Sequence, residues 1–270
     1  MKRYKILVTS IIAIGLLLIG TSDPIRNIRK STGFINKGYK ANLQTDDNKK
    51  DGNVQKNSQI NEKFLICIDP GHQEKGDSNL EPIAPGSPSK KPRVSSGAAG
   101  VATKKPEYVL NLEASTVLKH ILEGKGFKVV MTRDSHDVNI SNSERAIFAN
   151  DKKADMVVRI HADSLNNPSK TGASILIPQK DGKYTKSIYE ESSVCAQIVE
   201  GKMREGGVQV NGIFQRDDLT GFNWSKVPVV LVEMGFMSNY NEDRLMSSPE
   251  YQRKLMQTIA DGLEEYFMTK

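Results

Sequence analysis

Phe64-Leu-Ile-Cys-Ile-Asp-Pro-Gly-His-Gln73 is the stretch on which the reading of the fold turns. Its unbroken apolar run of large and β-branched side chains, cut off by Asp-Pro-Gly, reads as a buried strand ending in a tight turn. Pro70 cannot donate to a sheet ladder and Gly71 is free to take a positive φ. His72 is therefore expected just past the strand's carboxyl end, where open α/β sheets place their ligands. Taken alone, His72 reads equally well as a hydrogen-bonded structural histidine.

Upstream of this stretch the chain changes character twice. A basic start (Lys2, Arg3, Lys5) leads into the uncharged apolar run 6–20, the pattern of an export signal. The run is short for a membrane span. Gly20-Thr21-Ser22 is only a loose cleavage site, so residues 1–22 are expected to be a signal peptide or a retained signal anchor in the membrane. Residues 23–62 are rich in Asn, Lys, Asp, Gln and Gly, with no apolar period, and are expected to form a disordered polar linker. The folded domain is thus expected over 63–270. The formal charge of +6 is spread along the chain without an arginine-rich helix or an aromatic-interleaved basic platform, which argues against a nucleic-acid partner. Modest basicity suits an anionic polymer, although a solvated lysine-rich surface explains it as well. Two cysteines, Cys67 in the first strand and Cys195 in a helical stretch, read as buried free thiols.

Downstream, 73–105 carries four prolines and reads as a long irregular loop. Strands and helices then alternate. Leu110, Ala114, Val117, Leu118 and Ile121 recur at helical spacing, predicting a helix over 107–123. Strands are expected at 127–132, 155–160, 172–178 and 228–234. Helices are expected at 142–150, at 188–204 with Val194, Ile198 and Val199 facing inward, and at 249–267 with Ser248 as its cap. Such alternation predicts an α/β fold: a twisted, mostly parallel sheet flanked by helices on both faces, in one catalytic domain.

Chemistry-bearing residues fall at strand ends. His161 follows Met156-Val-Val-Arg-Ile, and if the strands are parallel it emerges on the same edge as His72. Glu233 ends Pro228-Val-Val-Leu-Val, the most apolar run in the domain. A carboxylate there needs a cation, a proton or a site, and an ion pair to Arg159 or Arg133 is the bland alternative. Glu107 opens the first helix, where interaction with the macrodipole also explains an acid. Two imidazoles and a carboxylate with a fourth position left for water is the pattern of catalytic zinc, and a second glutamate off the metal is what a hydrolase needs as general base.

Asp69-Pro-Gly-His72, Glu107 with Leu110-Asn-Leu, Arg159-Ile-His161-Ala-Asp163 and Pro228-Val-Val-Leu-Val-Glu233-Met-Gly-Phe-Met-Ser-Asn239 occur in that order. Together they resemble the zinc-dependent N-acetylmuramoyl-L-alanine amidases of bacterial peptidoglycan. The resemblance spans about 64–267. It implies one Zn2+ held by His72, Glu107 and His161, and Glu233 as the catalytic glutamate. The reaction implied is hydrolysis of the amide between N-acetylmuramic acid and L-alanine of the stem peptide. Asp69 would orient the His72 ring or simply cap its turn, and Asp163, Asn239 and Trp224 are further residues near the same edge. Gln73-Glu74 stands where many members have Gly-Gly, and no repeated wall-binding module is attached. The implied partner is peptidoglycan, with a regulatory protein as a second, and the implied location is the cell envelope or beyond. The rival classes are another zinc peptidase acting within the stem peptide, and a non-catalytic wall-binding or regulatory protein on the same fold.

Overall fold

The computed structural model describes residues 61–270, so the expected export segment and all but the end of the expected linker lie outside the described residues. Along the chain come β1 (Leu65–Pro70), a hairpin of β2 (Asp77–Pro82) and β3 (Lys90–Val94), α1 (Glu107–Gly124), β4 (Lys128–Met131) and α2 (Asn142–Asp151). They are followed by β5 (Met156–Asp163), β6 (Ala173–Pro178), α3 (Lys186–Glu205) and β7 (Val210–Arg216). The single-turn α4 (Thr220–Asn223), β8 (Val229–Phe236), α5 (Tyr240–Met246) and α6 (Pro249–Met268) complete it. Six strands form one sheet in the order β4-β1-β5-β8-β6-β7. β4, β1, β5 and β8 run parallel, whereas β6 is antiparallel to β8 and carries β7 parallel to itself.

Both faces of β1, β5 and β8 are covered, which is why their sequences read as nearly continuous apolar runs rather than alternating ones. On one face, Leu118 of α1, Val199 of α3 and Ile259 of α6 pack with Ile68, Ile160 and Val232. On the other, Ala149 of α2 and Phe222 of α4 pack with Cys67, Val157 and Leu231. Each fully buried aliphatic side chain in these layers stabilises the fold by about 2 kcal/mol relative to exposure. Helix starts follow local chemistry. The Ser248 hydroxyl accepts from the Tyr251 amide with Pro249 in the first turn, and Ser141 and Glu144 close a reciprocal capping box on α2. Cys67 and Cys195 are buried free thiols.

Three expectations need correction. The segment 73–105 is not wholly irregular, because β2 and β3 pair antiparallel within it. A two-stranded ribbon buries little of either face, so its strands carry no apolar period. Ion pairing of Arg93 with Asp77, at 3.0 Å, joins them instead. In α3, Val194 faces solvent, while Cys195, Ala196 and Val199 face the core, a rotation of the apolar stripe by about one residue. β7, α4 and α5 have no counterpart among the expected elements. β7 is an edge strand interrupted by Gly212, and the two helices are too short to display a period.

Candidate metal centre and catalytic cleft

β1 delivers His72, but by a different device from the one its sequence suggested. Gly71 is not among the residues with positive φ; His72 itself is, at 63°. Glycine is needed at 71 for space, since a Cβ there would run into the ring of His161. His161 leaves the end of β5, and the start of α1 brings Glu107 between the two imidazoles. His72 Nε2 lies 3.1 Å from Glu107 Oε1 and His161 Nδ1 lies 3.3 Å from the same oxygen, with the two rings edge to face at 4.9 Å. Gly97, at φ +81°, allows the returning chain to pass the pair; a Cβ there would stand 2.6 Å from Glu107 Oε2 and 2.9 Å from His72 Cγ.

These three groups are the one His/Cys/Asp/Glu cluster among the described residues with metal-binding geometry, all ligand atoms lying within 4.8 Å of one another. Tetrahedral ligands at 2.0–2.1 Å from a cation are about 3.3 Å apart, so the observed spacings suit such an ion. The surroundings fix the ligands' states. Burial pushes the His161 imidazolium down to about 4, against the pull of Glu107, so its ring is neutral and available for coordination. Burial would raise the Glu107 carboxyl, but bonds to His161 and His72 hold it well below the usual range. Glu107 Oε2 also accepts from the Ala98 amide at 2.9 Å, and Oε1 from Asn111 Nδ2 at 3.2 Å.

Glu233 stands beside this cluster without joining it. In the β5–β8 ladder its Cα is paired with that of His161. Adjacent parallel strands in register carry their side chains on the same face, about 4.8 Å apart. The pairing slips immediately beyond, between His161 and Asp163, so the two residues mark the end of the regular ladder. Glu233 Oε2 is shut off from solvent with no hydrogen-bond partner among the described residues. Burial, then the charges of Glu107 and Asp163, push its carboxyl well above the usual range, and Arg159 and Arg216 oppose this only in part. The ion pair to Arg159 or Arg133 does not form: Arg159 bonds Asp69, and Arg133 is spent on backbone carbonyls. His72, His161, Arg159, Arg216 and Glu233 line a cleft of about 300 Å³ between the β2–β3 hairpin and the α4 turn.

Residues 66–265 match the family model described as N-acetylmuramoyl-L-alanine amidase. The chain belongs to this family. Its sequence is 23% identical over 214 residues to the N-acetylmuramoyl-L-alanine amidase Rv3717 of Mycobacterium tuberculosis, covering 77% of this chain and 88% of that protein. It is 26% identical over 241 residues to the N-acetylmuramoyl-L-alanine amidase AmiC of Neisseria meningitidis, covering 76% of this chain but only 53% of AmiC. Among solved structures, the N-acetylmuramyl-L-alanine amidase Ami1 of Mycobacterium smegmatis superposes with a TM-score of 0.69 at 26% identity, over 77% of this chain and 98% of its own.

Two further residues that the sequence drew toward this amidase site have other partners. Asp69 does not touch the His72 ring. It bonds Thr132 Oγ1 at 2.5 Å, Arg145 at 2.9 Å and Arg159 at 2.8 Å. The His72 ring is oriented by Ser95 instead, whose carbonyl and hydroxyl lie 3.0 and 2.9 Å from Nδ1. With the Nδ1 proton donated to that carbonyl, Nε2 keeps its lone pair toward Glu107. Asn239 caps α5, accepting from the amides of Asn241 and Glu242, and donates to the Pro168 carbonyl. Asp163 accepts from the Ser164 amide and lines a second hollow that meets the first at Glu233.

Sequence reasoning missed the two arginines that hold the His72 turn. Arg145 donates to the carbonyls of Pro70 and His72, and Arg133 to those of Pro70 and Gly71. Burial, then Arg145, lowers the Arg133 guanidinium to about 10. A trace was present for Arg145. It sits beside Ala146 and Ala149 on the inward face of α2, a charged residue in an apolar stripe.

Proposed function

We propose that this chain hydrolyses the amide between N-acetylmuramic acid and L-alanine of the stem peptide in bacterial peptidoglycan, with one Zn2+ held by His72, Glu107 and His161 and with Glu233 as general base. The observation that carries the assignment of roles is the unpartnered, buried Oε2 of Glu233 next to Glu107 and the two imidazoles paired with it. When bound, the cation supplies Lewis acidity to the scissile carbonyl and to the attacking water. The protein does the rest. Ser95 holds the His72 imidazole in its coordinating orientation and tautomer. Glu233 takes the proton from water on its free oxygen and returns it to the departing alanine nitrogen. A carboxyl that burial raises well above the usual range is a stronger base toward the water proton than an ordinary carboxylate.

Replacing His72, Glu107 or His161 by Ala is expected to abolish zinc binding and activity together. The assay is release of new L-alanine amino termini from purified peptidoglycan, read beside zinc content. A new terminus elsewhere in the stem peptide would reassign the enzyme as a peptidase. A variant of Glu107 that keeps its zinc would return that residue to a helix-terminus role.

The same reading puts the domain in the cell envelope, exported by residues 1–22 and linked by 23–62, with peptidoglycan as substrate and a regulatory protein as a further partner. Fractionation checks the first of these, and a purely cytosolic protein would overturn it.

A further inference from the structure

The cleft is electrically lopsided. At the level of Ser174 and Glu233 it holds the metal-binding cluster and the base. Four residues further along β6, Pro178 pairs with Arg216 of β7. The Arg216 guanidinium forks onto Asp218, with Nε at 2.7 Å and an Nη at 2.9 Å from its two carboxylate oxygens. From the opposite wall Lys91 of β3 reaches the same residue, at 2.7 Å from the Asp218 carbonyl and 3.5 Å from Oδ2. Two cations from two separate elements thus share one carboxylate, and all three side chains are more than two-fifths exposed to the cleft and solvent. Arg216 stands where this cleft meets the second hollow, which adds Leu165, Phe214 and Phe236 to its surroundings.

We propose that Arg216, assisted by Lys91, is the specificity determinant for the peptide side of the substrate, binding a free carboxylate on the residue that follows the alanine, in exchange for Asp218. The inference rests on the amidase reading above. Geometry selects the residue. Arg216 and Glu233 lie four strand positions apart along the sheet and two strands apart across it, about 16 Å between Cα atoms, of which the two side chains together span about 9 Å. The remaining ~7 Å is the length of about two extended residues, alanine and its successor. A guanidinium already forked on a carboxylate is preorganised for another of the same shape. Asp218 keeps the pair in place when no substrate is there.

The test uses the zinc-loaded protein and two soluble muramoyl peptides that differ only in whether the residue after L-alanine bears a free carboxylate or a carboxamide. Wild type is expected to cleave the free acid with about tenfold higher kcat/KM, through KM rather than kcat. Arg216→Gln should lose that preference, so that the two substrates no longer differ in KM; Lys91→Gln should do the same more weakly. Thermal midpoints equal to wild type confirm that both variants are folded. If Arg216→Gln keeps the wild-type preference in KM, or if wild type cleaves both alike, the carboxylate site is refuted although the enzyme is still an amidase. If neither substrate nor peptidoglycan is cleaved by wild type, the amidase reading itself fails.

Discussion

Asp69 and Glu233 are carboxylates near the carboxyl ends of two parallel strands, each preceded by a run of apolar side chains. In the folded domain they are opposites. Asp69 is fully buried and saturated: Thr132, Arg145 and Arg159 supply its partners, and although burial would raise its carboxyl, Arg159 and then Arg145 hold it well below the usual range. Glu233 keeps one oxygen buried with no partner and is driven the other way. A satisfied buried charge builds a scaffold, while an unsatisfied one is available to exchange a proton. Asp69 holds Arg145, which holds the carbonyls of Pro70 and His72, so this carboxylate braces the turn that carries His72.

The contrast breaks most visibly at Asp69. Asp69→Asn leaves two buried guanidinium groups without their counter-charge and is expected to cost about 3 kcal/mol of stability, read as a lower urea midpoint. Little change in that midpoint would mean that the two arginines, and not the carboxylate between them, carry the scaffold. At Glu233 the expected losses are reversed. Glu233→Gln keeps the size of the side chain, so zinc content and stability should hold while hydrolysis falls by about 10² or more, the scale for a lost general base. If that variant sheds its zinc, Glu233 is a ligand and the two carboxylates are less different than the geometry says.

Acid sharpens the comparison further. Because the native Asp69 carboxyl is lowered, its contribution is complete above the unfolded value near 4 and disappears as pH falls through the native one. The stability gap between wild type and Asp69→Asn should therefore be constant above about pH 5 and close below pH 4, by at most about 1.4 kcal/mol per pH unit. Urea titrations of both proteins with the metal chelated check it, and a gap that widens in acid would contradict the sign. The smallest effect is expected at Ser95. Ser95→Ala removes the hydroxyl next to His72 Nδ1 but leaves the backbone carbonyl, so zinc affinity should weaken by less than the roughly tenfold typical of losing a ligand's supporting bond altogether. Competition against a chelator measures this, and a loss of a hundredfold would show that the hydroxyl, not the carbonyl, sets the tautomer.

The sequence by itself determined the sheet and the cluster on its edge. Continuous apolar runs before His72, His161 and Glu233 are what strands covered on both faces require, and the helical periods between them impose parallel strands that bring His72 and His161 out on one edge. Glu107 was legible because it opens a clear helix, and the order of the motifs identified the family. Wherever the decisive contact runs between distant segments, only the tertiary structure settled it. Nothing near Asp69 in the chain announces Arg145 and Arg159, 76 and 90 residues away, so a scaffold carboxylate looked like a turn residue. Ser95 was hidden because the hairpin before it has no apolar period, and Asn239 looked like a substrate contact because α5 is too short to show that it begins there. Local periodicity reports which face a residue turns to the core. Which partner meets it there is fixed by packing across the fold, and that choice left Asp69 paired with two arginines and one oxygen of Glu233 without a partner among the described residues.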